Sequence, residues 1–233
     1  MAQSSPRLSI VMPVYNEEKS ISTVLQRLVD LPLPSYEVVI VDDGSTDGTR
    51  ALLQRWQGAH GGRFRVILQE RNTGKGGAVR RGVQEARGEY VVIQDADLEY
   101  DPRDLARLYR EIEQGRAQVV YGSRFLGHGE FLLTSRIANR LLSLLTSVLF
   151  GKKITDMETC YKMMPRDLYL SLQIRANRFD MEPEITAKLL RQGIRIREVP
   201  IRYRGRSRTE GKKIGVKDGL QAVFTLVRYR VAR

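Results

Sequence analysis

The chain has 233 residues, 42% apolar and 28% charged, with one cysteine and a formal net charge of +12. That balance excludes an intrinsically disordered chain and supplies enough apolar side chains for a sizeable core. A lone cysteine, Cys160, excludes an internal disulfide and suits a reducing compartment.

The opening residues lack a basic stretch followed by a long apolar one, so no secretory leader is expected. The chain then alternates strand-like and helix-like segments. "RLSIVMPVY", Arg7–Tyr15, is a short apolar run rich in β-branched residues, a buried strand, and Asn16–Leu28 repeats Ile21, Val24, Leu25 and Leu28 at helical spacing. Glu17 and Glu18 read as first-turn acids of that helix. "YEVVIVDDGS" is a second strand, and residues 47–57 a helix with Asp47 at its start. "RFRVILQE" is a third strand, followed by a glycine-rich turn and a helix over residues 76–86. "EYVVIQDADL" is the fourth. This alternation predicts an α/β fold, a mostly parallel sheet with helices on both faces, whose ligands sit beyond the carboxyl ends of the strands.

Beyond residue 118 the pattern loosens. "QVVYGSRF" reads as a strand, residues 135–150 as an apolar helix, and "TCYKMMPRDLY" as a strand leading into a helix. Helices over 181–192 and 216–230 flank an extended segment at 194–206. The longest apolar approach, "IANRLLSLLTSVLF", is broken by Asn139 and Arg140 and falls short of the ~20 residues of a spanning helix. With no linker or repeat, one domain over residues 1–233 is expected.

Three groups of polar residues fall at predicted strand ends: Pro13–Glu17, Asp42–Asp47 and Asp95–Glu99. On a continuing strand Asp95, Asp97 and Glu99 would share one face, where three like charges need a cation or water. Asp95 and Asp97 suit Mg²⁺ or Mn²⁺, hard ions that prefer oxygen and share their coordination with phosphates. Asp101 and Asp104 read instead as helix-start acids. Asp42 and Asp43 either accept hydrogen bonds from a nucleobase or ribose or belong to ordinary turn chemistry.

"RNTGKGGAVRRG" is no P-loop, because Lys75 is followed by Gly76 where a hydroxyl is required. Its glycines still open a helix whose amides can receive a phosphate, with Lys75 beside them. His60 and His128 lack zinc spacing, Cys160 lacks a base, and Trp56, Tyr109 and Tyr169 read as packing. Residues 195–233 hold 12 lysines and arginines against three acids, a net of +9. A nucleic-acid partner is set aside: that segment interleaves few aromatics, and the strand-end acids repel a polyphosphate.

Taken together, "SIVMPVYNEE", "VVIVDDGSTDGT", "RNTGKGGAVRRG", "YVVIQDADLEYDP", "VVYGSRF", "TDMETCYKMM" and "EVPIRYRGRSRTEGKKIG" resemble glycosyltransferase family 2. More narrowly, they resemble its dolichyl-phosphate mannose synthase and polyprenyl-phosphate glycosyltransferase branch. The resemblance runs from Leu8 to Gly219. It implies a GT-A fold, with a donor-binding half over about 8–125 and an acceptor-binding half over about 126–233. It also implies inverting, metal-assisted transfer of a hexose from GDP- or UDP-sugar to a polyprenyl phosphate, at the cytoplasmic face of a membrane. Carried over, Pro13, Tyr15, Glu17, Asp42, Asp43 and Lys75 line the nucleotide-sugar site with Asp95, Ala96 and Asp97. Asp95, Asp97 and Glu99 hold Mg²⁺ or Mn²⁺, although many relatives carry Gln where Glu99 stands. Arg124 and Arg136 meet the acceptor phosphate, and Arg206 and Lys212 close over the donor. Asp156 is the acid near the sugar, in a stretch where the usual "SGF" reads "TCY". A family 2 enzyme with a sugar-hydroxyl acceptor is the alternative, and it needs a general base. An acceptor that is already a phosphate needs cationic positioning instead, which suits the surplus of arginine. The apolar 141–150 stretch and the basic amphipathic 219–233 stretch would then lie at the membrane interface.

Overall fold

The computed structural model describes residues 6–33, 35–206 and 215–231. β1 (Leu8–Val14), α1 (Ile21–Val29), β2 (Tyr36–Asp42), α2 (Thr49–His60), β3 (Phe64–Leu68), α3 (Lys75–Glu85) and β4 (Tyr90–Ile93) form the first half. The β1–β4 strands are parallel, in the order β3-β2-β1-β4. Alternation along β1 feeds two cores. Ile10 and Met12 pack with Val24, Leu25 and Leu28 of α1, while Val11 packs with Val79 and Val83 of α3 on the other face. Gly82 permits that second contact, since a Cβ there would lie 2.4 Å from the Val11 Cγ1.

A 3-10 turn (Pro102–Asp104) leads into α4 (Leu105–Glu113), whose Leu105, Leu108 and Ile112 join the first core. There follow β5 (Val119–Ser123), β6 (Gly129–Glu130), α5 (Leu133–Phe150), β7 (Lys162–Pro165), α6 (Arg166–Ser171) and α7 (Met181–Arg191). β8 (Ile196–Pro200), β9 (Tyr203–Arg204) and α8 (Val216–Val231) complete the described chain. The main sheet has seven strands in the order β3-β2-β1-β4-β7-β5-β8, with β7 antiparallel to both neighbours. β6 and β9 make a separate two-stranded sheet. The order of connection reverses between β1 and β4, which marks the crevice where such sheets bind ligands.

Several local expectations are corrected. β4 stops at Ile93, and Leu98 has φ +62°, so residues 95–99 form a loop and their acids do not share a strand face. α1 begins at Ile21, and Glu17 precedes it, accepting a hydrogen bond from the Ser20 hydroxyl at 2.8 Å. Asp47 accepts from the Thr49 amide at 3.0 Å, whereas Asp101 caps the 3-10 turn through the Arg103 amide. Asp104 is no cap. It is buried and takes hydrogen bonds from the Arg202 amide and guanidinium.

Candidate active site

The loops after β1, β2 and β4 converge at the carboxyl edge of the sheet, and their charges are tightly paired. Lys75, at the start of α3, lies 2.8 Å from Asp95 and 3.5 Å from Glu182 of α7. Burial works against the ammonium, and these two carboxylates outweigh it, raising its pKa. Arg206, just past β9, reaches Asp97 at 2.8 Å, Glu17 at 3.4 Å and Glu99 at 3.6 Å. Glu99 also accepts from the Tyr203 hydroxyl and the Arg206 amide, both at 2.9 Å. It thereby fastens β9 to the acidic loop.

Ala96 is buried between the two aspartates, Pro13 is half-buried and Tyr15 is 36% exposed beside the cluster's first strand end. Asp43 accepts from the Gln69 side chain, the Thr73 amide and hydroxyl and the Gly74 amide, all within 2.9 Å, so it shapes the glycine-rich turn. Asp42 pairs with Arg50 through one oxygen and leaves Oδ1 buried without a hydrogen-bond partner. At the α3 start the Gly76 and Gly77 amides donate to the Asn177 carbonyl, at 2.8 and 3.3 Å. The phosphate position expected there is filled by the chain's own backbone. Lys212 lies outside the described residues.

On the other side of β4, Arg124 and Asp156 form a buried bidentate pair, with contacts of 2.8 Å from Nε and 2.7 Å from a terminal nitrogen. The Arg124 amide adds a third contact at 2.8 Å. Arg124 is 5% exposed and stacks 5.0 Å over Tyr203, so direct contact with an acceptor phosphate requires this pair to open. Asp156 acting as a base requires the same. Arg136 is exposed on α5, apart from the Arg124–Asp156 pair in the hydrogen-bond network. Nearby, Arg140 lies over Phe125, at the edge of a groove of about 700 Å³. Phe125, Leu126, Leu144, Val148 and Lys153 also line it.

A profile of glycosyl transferase family 2 matches residues 9–172. The chain belongs to glycosyl transferase family 2. Among relatives, it is 31% identical over 228 residues to the undecaprenyl-phosphate 4-deoxy-4-formamido-L-arabinose transferase of Edwardsiella ictaluri, covering 94% of this chain and 66% of that protein. It is 34% identical over 151 residues to the dodecaprenyl-phosphate galacturonate synthase of Rhizobium johnstonii, covering 62% and 44%. The chain thus spans between about half and two thirds of these relatives' length. Among solved structures, glucosyl-3-phosphoglycerate synthase from Mycobacterium tuberculosis, in complex with Mn²⁺, UDP and phosphoglyceric acid, superposes with a TM-score of 0.73. That match has 22% identity and covers 98% of this chain and 80% of the other. The family 2 chain has the GT-A fold expected of it.

Among the described residues of this family 2 chain, no three acidic, histidine or cysteine side chains are gathered around one metal position. The donor set nevertheless fits a hard cation. Lys75 and Arg206 are shared among Asp95, Asp97, Glu99 and Glu17, and the Asp97 carboxyl is pushed up to about 7, first by burial and then by Asp95 and Glu99, with Arg206 opposing. Glu182 pairs with Lys75, Tyr203 with Glu99 and Arg124, Arg140 with Phe125, and the charges of Lys162, Arg124, Glu182 and Asp156 act on Glu158; the sequence reading gave none of these four a role at the site. Glu182 carried no sequence signal, since an acid in the first turn of a helix is ordinary. Glu158 lay inside a quoted motif.

Proposed function

We propose that the chain transfers a hexose, mannose or glucose, from GDP- or UDP-sugar to a polyprenyl phosphate, with inversion, aided by Mg²⁺ or Mn²⁺. The observation that carries the reading is the convergence of Asp95, Asp97, Glu99 and Glu17 on Lys75 and Arg206 at the β1/β4 switch point, in a chain of this family. The names of the two relatives support the lipid-phosphate acceptor.

In this reading Asp95 and Asp97 hold the divalent ion, with Glu99 as a third oxygen ligand if it leaves Tyr203. The ion, when bound, draws charge from the leaving nucleoside diphosphate as a Lewis acid. Asp42 offers its unpartnered Oδ1 to the base or ribose, and Pro13, Tyr15 and Glu17 line that end. Arg206 would serve the diphosphate, and Lys212, which lies outside the described residues, would be a second cation for it. The acceptor phosphate meets Arg136 and Arg140, with Arg124 joining as its pair with Asp156 opens. The phosphate oxygen is already nucleophilic, so these cations serve to bring two anions together.

A lipid acceptor also accounts for the outward faces of α5 and α8. Leu133, Ile137, Leu141, Leu144 and Val148 follow one stripe, and Leu220, Val223, Phe224, Val227 and Val231 another, all exposed. Exposed Arg136, Arg140, Lys152, Lys153, Arg228 and Arg230 accompany them, as befits helices lying on an anionic leaflet. No described helix is long and apolar enough to cross a membrane.

The test is transfer of radiolabelled sugar from GDP-mannose, UDP-glucose and related donors into extractable polyprenyl phosphate, with Mn²⁺ or Mg²⁺. Label in the lipid phase supports the reading, and its loss in Asp97→Ala with an unchanged melting profile supports the metal role. Donor binding with no lipid labelling across chain lengths moves the acceptor to a sugar hydroxyl.

A further inference from the structure

In the turn between α5 and β7 most of the polar groups are fixed by hydrogen bonds. The Thr155 and Asp156 amides donate to Glu198, and Asp156 holds Arg124. The Met157 amide donates to the Ser143 hydroxyl at 3.0 Å, and the Cys160 amide to the Tyr100 hydroxyl at 3.2 Å. The fully buried Lys162 ties the turn down from beneath, donating to the Met157 and Thr159 carbonyls and pairing with Glu182 at 2.6 Å. Glu158 stands in the middle of this scaffold. Its Oε1 is sealed from water with no hydrogen-bond partner, while the residue as a whole remains half-exposed.

Its position is between the two halves of the site. Two residues earlier lies the Arg124–Asp156 pair, and two residues later the Cys160 sulfur lies 4.0 Å from the carbonyl of Ile93, the last residue of β4 before the acidic loop. Glu182, whose charge acts on Glu158, is also the second partner of Lys75, itself paired with Asp95. The charges around Glu158 are balanced, Lys162 and Arg124 against Glu182 and Asp156. A buried acceptor left unpaired is costly, and rigid support around a single open polar group is how a protein prepares to meet a ligand. A carboxyl turns easily about its last torsion, so either oxygen can take the part of the side chain's surface that stays exposed.

We propose that Glu158 is a specificity-determining residue that binds a hydroxyl of the transferred sugar, holding the glycosyl unit between the metal-binding loop and the acceptor side. The assignment rests on the nucleotide-sugar reading above. It places the sugar, rather than the nucleotide or the lipid, against this turn. The sugar hydroxyl donates to the open carboxyl oxygen, supplying the missing partner. Burial raises the Glu158 pKa to about 7, so near neutrality the carboxyl is also available in its protonated form as a donor to a sugar oxygen.

The experiment compares wild type, Glu158→Gln and Glu158→Ala by calorimetric titration in Mn²⁺ with UDP, UDP-glucose, GDP and GDP-mannose, circular dichroism confirming the fold of each. Affinity for the bare nucleotide should be unchanged. The extra affinity conferred by the sugar should fall about ten- to a hundredfold in Glu158→Ala, with a smaller loss in Glu158→Gln. Deoxy-sugar donors complete the cycle. Removing the bound hydroxyl should weaken wild type to the level of Glu158→Ala and leave Glu158→Ala no weaker. Equal losses on nucleotide and nucleotide-sugar, or a sugar contribution that survives both substitutions, would overturn the assignment while leaving the donor reading intact. Absence of nucleotide binding by the wild type would remove the donor reading, and the assignment with it.

Discussion

At the scale of single residues, the Arg124–Asp156 pair is a commitment that neither partner can abandon alone. Both side chains are almost fully buried, and each satisfies the other with parallel hydrogen bonds. Removing one leaves an uncompensated buried charge, at a cost of about 3–5 kcal/mol. Urea unfolding of Arg124→Ala and Asp156→Ala should each show that loss, and the double variant should be less destabilised than the sum of the two. Additive losses would mean that the pair is not a unit. Glu158 gives a prediction with a sign in pH. Its pKa is raised from 4.5 to about 7 in the folded chain, chiefly by burial, so the native state binds the proton more tightly. The stability this confers is complete below pH 4.5 and is lost as pH rises through 7. Thermal unfolding of wild type relative to Glu158→Gln should therefore weaken across that window, by up to about 3 kcal/mol. Parallel curves for the two proteins would contradict it.

At the scale of elements, the β6–β9 pair and the acidic loop are clasped by Glu99, which bonds Tyr203 and Arg206. Arg206 consequently sits among the same carboxylates that a divalent ion would use. Replacing it with Met should tighten binding of Mn²⁺ alone about tenfold, a difference of ~1.4 kcal/mol, measured by electron paramagnetic resonance without nucleotide. Weaker Mn²⁺ binding would show that Arg206 supports the acids instead of competing for them. Most elements were legible from sequence because their periodicity is strong: α1 buries Ile21, Val24, Leu25 and Leu28, the four residues its spacing marks. The acidic loop was misjudged for a physical reason. Strand alternation was extended past Ile93, where β4 ends, and in the loop beyond it Leu98 takes a left-handed conformation, with Asp97 and Glu99 on either side of it both reaching Arg206. The strand of β7 and an extended segment holding β8 and β9 were read, but the antiparallel direction of β7 carries no local signal, and the two-residue β6 too little pattern. The partners of Asp95 and Asp97 come from far along the chain, and no local rule finds them.

At the scale of the whole molecule, the exposed stripes of α5 and α8 sit on helices that pack against a shared small core around Leu226, Ala187 and Met157. Their outward residues leave one side of the molecule apolar and basic. Sedimentation with vesicles containing phosphatidylserine should retain the chain at low salt, release it as salt rises, and fail with Leu144→Asp and Phe224→Asp combined. Retention by the double variant would remove these helices from the interface. The sheet order has a consequence in time as well as in space. β4 and β5 are near neighbours in sequence, yet β7 stands between them, and it is made only after α5. The β3-β2-β1-β4 half can close through local crossovers while the rest of the chain is still on the ribosome, whereas β5 and β8 have no place to dock until β7 arrives. During that interval the edge of β4, next to the acidic loop, is an unpaired strand open to any passing chain. The carboxylates just beyond it, so awkward to accommodate in the finished protein, are well placed to keep such visitors away.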